Sequence, residues 1–500
     1  MRIRDLELRH REATQPAVTI DQLLVRVPID LANPDAWAIR PEAVILERSS
    51  IKIDVLQWTG PRLANLLSTL CPLQTQPPPT VPIVVRDSSL RLFHPLSDRH
   101  GPVTFHEVQG LAKTATAATG PLLEVKATGL SAEAGSLELR VGIDRCSRQF
   151  EGWLGFQQLA LNEKWIGLIP LQSLPQLQQV RVLRGVLSGE ARLAGSLGPL
   201  AIDQYRLSAQ LSDARVEHAW LRDPLSGGTT RIELMPTEWK ASGLTARIGP
   251  GALNAEVRVD PRGTPRQWEV TGDWVDCNFD RELFKGWPAA PTRVLDELNP
   301  RGLVNLHFGF RGEDGELRNR SCLVEIRQGQ FELTRFPYPV SHCVGVARLE
   351  DEHCRVDIQA LEAGQVVEIR GEAWGLLSRP TFDFRFSCDG FLPFNEKLVA
   401  ALKRYPRTLR QIEQLNPRGY FGVNGTFRRL EPGTPNQLEY SIDLKQCAIR
   451  HQQFEYPVRE IEGQVRVNGA EVKFERLRGD RKSTRLNSSH SSVSRMPSSA

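Results

Sequence analysis

Apolar and polar residues alternate with period two along most of this 500-residue chain. In "SLELRVGID" (136–144), Leu137, Leu139, Val141 and Ile143 fall on one side, with Glu138, Arg140 and Asp144 on the other. "QLLVRVPI" (22–29) repeats the pattern with Leu23, Val25, Val27 and Ile29, and "SSIKIDVL" (49–56) with Ile51, Ile53 and Val55. "TFDFRFSC" (381–388) does so with Phe382, Phe384 and Phe386. Such alternation predicts β-strands with one apolar face. Gly, Pro, Asn and Asp punctuate the runs at the short intervals of antiparallel hairpins and meanders. The fold class is mainly β.

Three stretches break the alternation. In 394–419 helix formers dominate, with Asn395 as N-cap and Pro406 as a break. Residues 279–302 look like the same object, and 161–185 like a looser copy. Each ends on a glycine, Gly185, Gly302 and Gly419, at equal intervals of 117 residues. "YPV" recurs at 338–340 and 456–458, and "NEK" at 162–164 matches "DRE" at 280–282 and "NEK" at 395–397. A fixed period marks one module stacked along an axis. The organisation expected is an N-terminal β region over 1–149, repeats over 150–266 and 267–381, and a shorter third over 382–479.

One short helical segment per repeat is too little to cover the apolar face of several strands. Either the sheet closes on itself as a sandwich or barrel, or it curls into an open groove. An accessible apolar lining on that scale marks binding to something equally apolar, such as acyl chains. We expect an extended, twisted antiparallel meander curled into such a groove. Leu23, Val25, Val27, Leu137, Leu139, Val141, Ile143, Phe382, Phe384 and Phe386 are the candidates to line it.

Charge and candidate chemistry change this picture little. The formal net charge is +4, but residues 480–500 hold Arg481, Lys482, Arg485 and Arg495 against Asp480 alone. Without them 59 basic and 58 acidic residues remain, so the clustered cationic excess of a nucleic-acid partner is missing. The eight cysteines show no metal-binding spacing and read as buried thiols. No phosphate loop, nucleophile elbow or metalloprotease motif occurs, so neither an enzyme nor a cofactor is expected. "DEHCRVD" (351–357) gathers metal-ligand residue types, but its strand pattern sends neighbours to opposite faces. "NGT" (424–426) fits the glycosylation triplet, a pattern that arises often by chance. "LNPRG", repeated at 298–302 and 415–419, reads as a helix stop rather than as an anion ladder of Arg301 and Arg418. Trp153, Trp268, Trp274 and Trp374 fall on strands and read as sheet packing. No apolar run is long enough to span a membrane as a helix.

The N-terminal run "RIRDLELRHREATQPAVTIDQLLVRVPIDL", followed by "WAIRPEAVILERSSIKIDVLQWTG" and "VPIVVRDSSLRLFHP", resembles the AsmA-like envelope proteins of diderm bacteria. The meander over 323–375 is similar to the family's C-terminal and TamB-type repeats. The resemblance covers nearly all of 1–479 and is one of pattern. It implies a periplasmic protein anchored in the inner membrane, whose repeated β-groove conducts phospholipids toward the outer membrane. The expected partners are phospholipid acyl chains and, for the full-length protein, the inner membrane. The family's membrane helix is missing from the start, and the third repeat stops midway, as in a fragment. The competing readings are a structural or adhesive β-repeat with a closed core, and a carbohydrate-active β enzyme using the Trp residues as sugar platforms. The Ser-rich tail "DRKSTRLNSSHSSVSRMPSSA" (480–500) matches one translation frame of a widely used short-read sequencing adapter in two ordered pieces. The body is therefore expected to end near Gly479, with an unpacked tail after it.

Overall fold

The computed structural model describes residues 2–8, 18–26, 42–54, 81–93, 101–117, 120–131, 135–144, 147, 149–162, 180–197, 200–219, 221–283, 296, 299–314, 316–332, 334, 337–376, 378, 380–453, 456–469, 471–481, 484–487 and 493–495. All described strands belong to one sheet. The N-terminal region contributes β1 (Arg2–Leu8), β2 (Val18–Arg26), β3 (Ala43–Asp54), β4 (Ile83–Phe93), β5 (Val103–Ala117), β6 (Gly120–Ser131), β7 (Ser136–Asp144) and β8 (Gln149–Leu161). A six-strand meander follows: β9 (Val180–Leu197), β10 (Leu200–His218), β11 (Leu225–Met235), β12 (Glu238–Ile248), β13 (Gly251–Val259) and β14 (Gln267–Asn278). A second comprises β15 (Arg301–Glu313), β16 (Glu316–Glu332), β17 (Pro339–Glu350), β18 (His353–Glu362), β19 (Gln365–Trp374) and β20 (Thr381–Cys388). After the short β21 (Leu392–Pro393) and two helices, α1 (Glu396–Leu402) and α2 (Pro406–Leu415), the third runs through β22 (Arg418–Arg429), β23 (Gln437–Ile449), β24 (Val458–Asn468) and β25 (Glu471–Arg481).

The sheet is a meander, and it is not closed into a barrel. At one end β1 pairs with β2. Strands lie about 4.8 Å apart, so six of them advance the sheet by roughly 29 Å per module. The boundaries read at 150, 267 and 382 fall at the beginnings of β8, β14 and β20, the strand before each long connection.

One pair departs from the antiparallel pattern: β3 and β4 run parallel, Val44 beside Ile83 and Ile51 beside Leu90. Parallel neighbours need a crossover of a dozen or more residues, and 55–82 supplies that length. In the tail, β26 (Thr484–Asn487) and β27 (Val493–Arg495) pair with β25. Val27 and most of 161–185 and 284–298 lie outside the described residues.

The helical connection over 394–419 forms as expected. Asn395 Oδ1 accepts from the Leu398 N–H at 3.0 Å, capping α1, and Pro406 opens α2 instead of breaking a single helix. In the preceding module Asp280 accepts from the N–H groups of Glu282 and Leu283 at 2.9 and 3.0 Å, at the turn that follows β14. "LNPRG" is a stop in both copies. Asn299 and Asn416 take the left-handed conformation, and Gly302 and Gly419 enter the next strand at φ +134° and +114°. The connections are tied along one edge of the sheet. Arg222 before β11 pairs with Asp280, and Thr334 before β17 donates to the Asp296 carbonyl at 2.6 Å while its own carbonyl accepts from Arg404.

Near that connection edge a line of left-handed residues crosses the strands. Arg48, Asp87, Glu107, Gln158, Asp213, Asp276, His342, Gln446 and Glu460 all have φ between 46° and 54° and are exposed. Each is followed by a residue no more than 8% exposed: Ser49, Ser88, Val108, Leu159, Ala214, Cys277, Cys343, Cys447 and Ile461. All but Arg48 fall at a break in strand register. These are β-bulges, which bend a strand and strengthen its twist. Aligned strand after strand, they form a seam along which the sheet turns.

Glycine is required where the seam meets a module's first strand. A Cβ on Gly302 would stand 2.0 Å from the Gln328 carbonyl oxygen, whereas one on Gly364 (φ +77°) would meet open space. We expect Gly302→Ala to cost roughly 3 kcal/mol and Gly364→Ala about 1 kcal/mol. The first should strip hydrogen-exchange protection from β15 and β16, while the second should leave both strands protected.

Candidate apolar binding face

Directly paired strand residues share a face, so strand register fixes which side chains stand together. Leu23 and Val25 pair with Leu46 and Val44. Leu137, Leu139, Val141 and Ile143 pair with Phe156, Leu154, Gly152 and Phe150. Followed strand by strand, that row passes through Leu207 and Ala209, Val257 and Ala255, Val270 and Gly272, Phe310 and Phe308, and Val356 and Ile358. It reaches Phe382, Phe384 and Phe386 opposite Ala373, Gly371 and Ile369, and goes on through Phe427, Ile442 and Val465. Nine of the ten predicted residues therefore stand on one continuous apolar face, and Val27 lies outside the described residues.

In several strands burial on this face deepens toward the seam. In β10, Ile202 is 55% exposed, Leu207 half-buried, and Ala209 and Ala214 at the seam 3% and 2%. In β15, Phe310 and Phe308 are half-buried, whereas Leu306 and Val304 are buried. One dry cluster gathers Val103, Phe105, Val108, Phe156, Leu159 and Ala209. A second joins Ile248, Trp274, Cys277, Leu283, Val304 and Leu306. Leu137 packs against the first cluster, Leu139, Val141 and the three Phe residues are half-buried, and Ile143 is buried at the end of its row away from the seam, in register through Phe150 and Gly195 with Ile202. Trp268 and Trp274 lie on this face too, and their buried indole N–H groups have no acceptor.

The opposite face carries charges that pair largely with one another, together with the exposed side chains of Val344, Val346, Leu361 and Val366. Arg140 pairs with Glu138 at 2.6 Å, Arg231 with Glu233 at 2.8 Å, Arg311 with Glu269 at 2.9 Å and Arg355 with Glu372 at 2.7 Å. Exposed pairs like these contribute about 0–1 kcal/mol each and chiefly keep the face wet and in register. "DEHCRVD" falls here as a turn and strand: His353 and Arg355 together hold the Glu372 carboxyl below its usual range, and the His353 ring stacks on Trp374 at 5.3 Å. No group of side chains suited to a metal ion occurs among the described residues. Trp153 also faces outward, donating to Glu190 at 3.0 Å under the Arg140 guanidinium.

The sequence reading missed the role of the cysteines. Cys277, Cys343 and Cys447 each follow a left-handed seam residue, where a small apolar side chain fits the corner. The six described cysteines are free. Cys322 and Cys354 flank Leu349 in register, two strand spacings or about 9.6 Å apart, too far for a disulfide. Burial pushes the Cys277 thiol up to about 12 and those of Cys322, Cys343 and Cys354 to about 11.

These four thiols should resist iodoacetamide at pH 8 in the folded chain and react once it is unfolded, as read by peptide mass spectrometry. On the charged face, His307 sits 2.6 Å from Asp273 and 3.8 Å from Glu325, and the hydrogen bond to Asp273 raises its pKa. A raised folded value stabilises fully below the ordinary pKa near 6.5 and loses its effect as pH rises through the folded value. The ring should titrate by NMR above 6.5, and Asp273→Asn should bring it back down. Compared with protein-family models, curated proteins and solved structures, the chain finds no match.

Proposed function

We propose that the apolar face binds phospholipid acyl chains and lets them pass along the sheet while head groups stay in water. One observation carries this reading: an apolar face continuous in register from β2 to β24, on an open sheet with no second sheet over it among the described residues. A single layer with one apolar side must bury that side against something. The half-buried rows through Val141, Phe310 and Phe384 offer such a surface. Sheltering an acyl chain there spares about 0.8 kcal/mol for each CH₂ kept from water. The process is passive and needs no nucleophile, general base or cofactor.

The resemblance to AsmA-like proteins supports the same reading and supplies its setting: the periplasm, with the full-length protein anchored in the inner membrane and phospholipid moving toward the outer one. No helix among the described residues is long and apolar enough to cross a membrane. The dry seam clusters favour a second reading, a structural β-repeat whose apolar face is closed along its whole width.

Lipid extraction and mass spectrometry separate the two. The purified chain should carry phospholipid, and Leu139→Asp with Val141→Asp, in the half-open region, should lower it several-fold while the strands keep their circular dichroism. A folded double variant with undiminished lipid, or a wild-type chain without lipid, would favour the closed repeat.

A further inference from the structure

The apolar face carries a cation at its rim, far from the seam. Arg429 closes β22 opposite Phe382 and lies two residues beyond Phe427, so all three share the face. Its guanidinium carbon stands 5.3 Å from the Phe382 ring centre, and Phe382 packs on Phe427 at 4.8 Å and Phe384 at 6.0 Å. Nε and Nη2 donate to Asn436 Oδ1 at 2.9 and 2.6 Å, and Nη1 donates to the Pro380 carbonyl at 3.3 Å. A guanidinium has five N–H donors, so two remain unspent. No carboxylate among the described residues pairs with it, although Arg428, pointing the other way, has Glu439 at 3.8 Å.

The repeat does not impose this residue. At the 117-residue offset Phe427 matches Phe310 and Arg428 matches Arg311, but Arg429 matches Gly312, which the Trp268 ring covers. A partly buried cation on an apolar face without an anion is costly unless something supplies one. Beside it the rim is open: Leu430 is 61% exposed and Leu438, paired with Phe427, 43%.

We propose that Arg429 binds the phosphate of an anionic phospholipid whose acyl chains lie over Phe382, Phe384 and Phe427. The unspent N–H groups take the phosphate oxygens, and Asn436 and Pro380 hold the guanidinium at the rim. This rests on the acyl-chain reading above and adds to it a head-group preference and a place for it.

The test equilibrates the purified chain with vesicles of mixed phosphatidylglycerol and phosphatidylcholine, then identifies the bound lipid by mass spectrometry. Wild type should enrich phosphatidylglycerol about tenfold over the vesicle ratio, the size of effect one charge-assisted contact gives. Arg429→Gln should return the ratio to that of the vesicle with total lipid unchanged. Arg429→Lys, which keeps a point charge, and Asn436→Ala, which frees the guanidinium without removing it, should keep most of the enrichment. A folded Arg429→Gln variant that still enriches phosphatidylglycerol overturns the site. So does equal loss in the Gln and Lys variants, which would make Arg429 a tether for its loop. Wild type that binds both lipids without preference overturns the site alone, whereas wild type that binds neither overturns the acyl-chain reading as well.

Discussion

A residue with a side chain gives up about 1–2 kcal/mol to adopt the left-handed conformation, yet nine strands here accept it near the connection edge and bury the very next side chain. The two facts belong together. A strand that keeps strict alternation presents its apolar side chains on a sheet too gently curved to dry them. A bulge inserts an extra residue, swings the chain, and leaves a corner into which the following side chain turns. Six of the nine occupants are small, namely Ser49, Ser88, Ala214 and the three seam cysteines, while Val108, Leu159 and Ile461 fill the other corners. Strain at the corner and burial just past it are one device, and the open breadth of the remaining face depends on it.

The modules share this device without sharing its chemistry. Where β12 ends, Ile248 joins the apolar cluster that holds Leu283 of the connection below. At the corresponding end of β18 stands Glu362, 4% exposed, and the connection answers with Lys397 at 2.8 Å. The carboxyl of Asp280 and the amide of Asn395 each accept from the N–H three residues on in their own connection. At matching strand ends the side chains exchange an apolar contact for an ion pair. Breaking the latter by removing Lys397 alone would strand a buried carboxylate, so each connection is matched to the module it docks on.

Period-two alternation was enough to read the strands, and the shared glycines were enough to read the period, because both are dictated by local backbone geometry. The residues Leu137 to Ile143 and Phe382 to Phe386 could be placed on one face for the same reason. Three features were out of reach. The parallel pairing of β3 with β4 depends on where a long connection returns, which no local pattern encodes. The seam was hidden because a bulge breaks the alternation by only one residue, and Asp276-Cys277 or Gln446-Cys447 looks like any polar–apolar step. Its trace, an exposed polar residue before a small apolar one near the connection edge, becomes legible only when strands are aligned module against module. Arg429 was invisible because an arginine at a strand end reads as solvated until register shows which face it takes.

The two faces of the sheet stand in different states of completion. Outward, charges meet one another across and along strands, as Arg311 does Glu269 and Arg370 does Asp357, so little unsatisfied potential is left there to select a partner. Inward, satisfaction is uneven. The seam is dry, and beyond it much of the apolar surface is half-buried as far as the rim, where a cation lacks an anion. On the inward face the described residues leave an apolar strip with a positive charge at its rim. An amphiphile with an apolar body and an anionic end complements both features at once, whereas a purely apolar ligand would leave Arg429 uncompensated and a purely anionic one would leave the strip exposed.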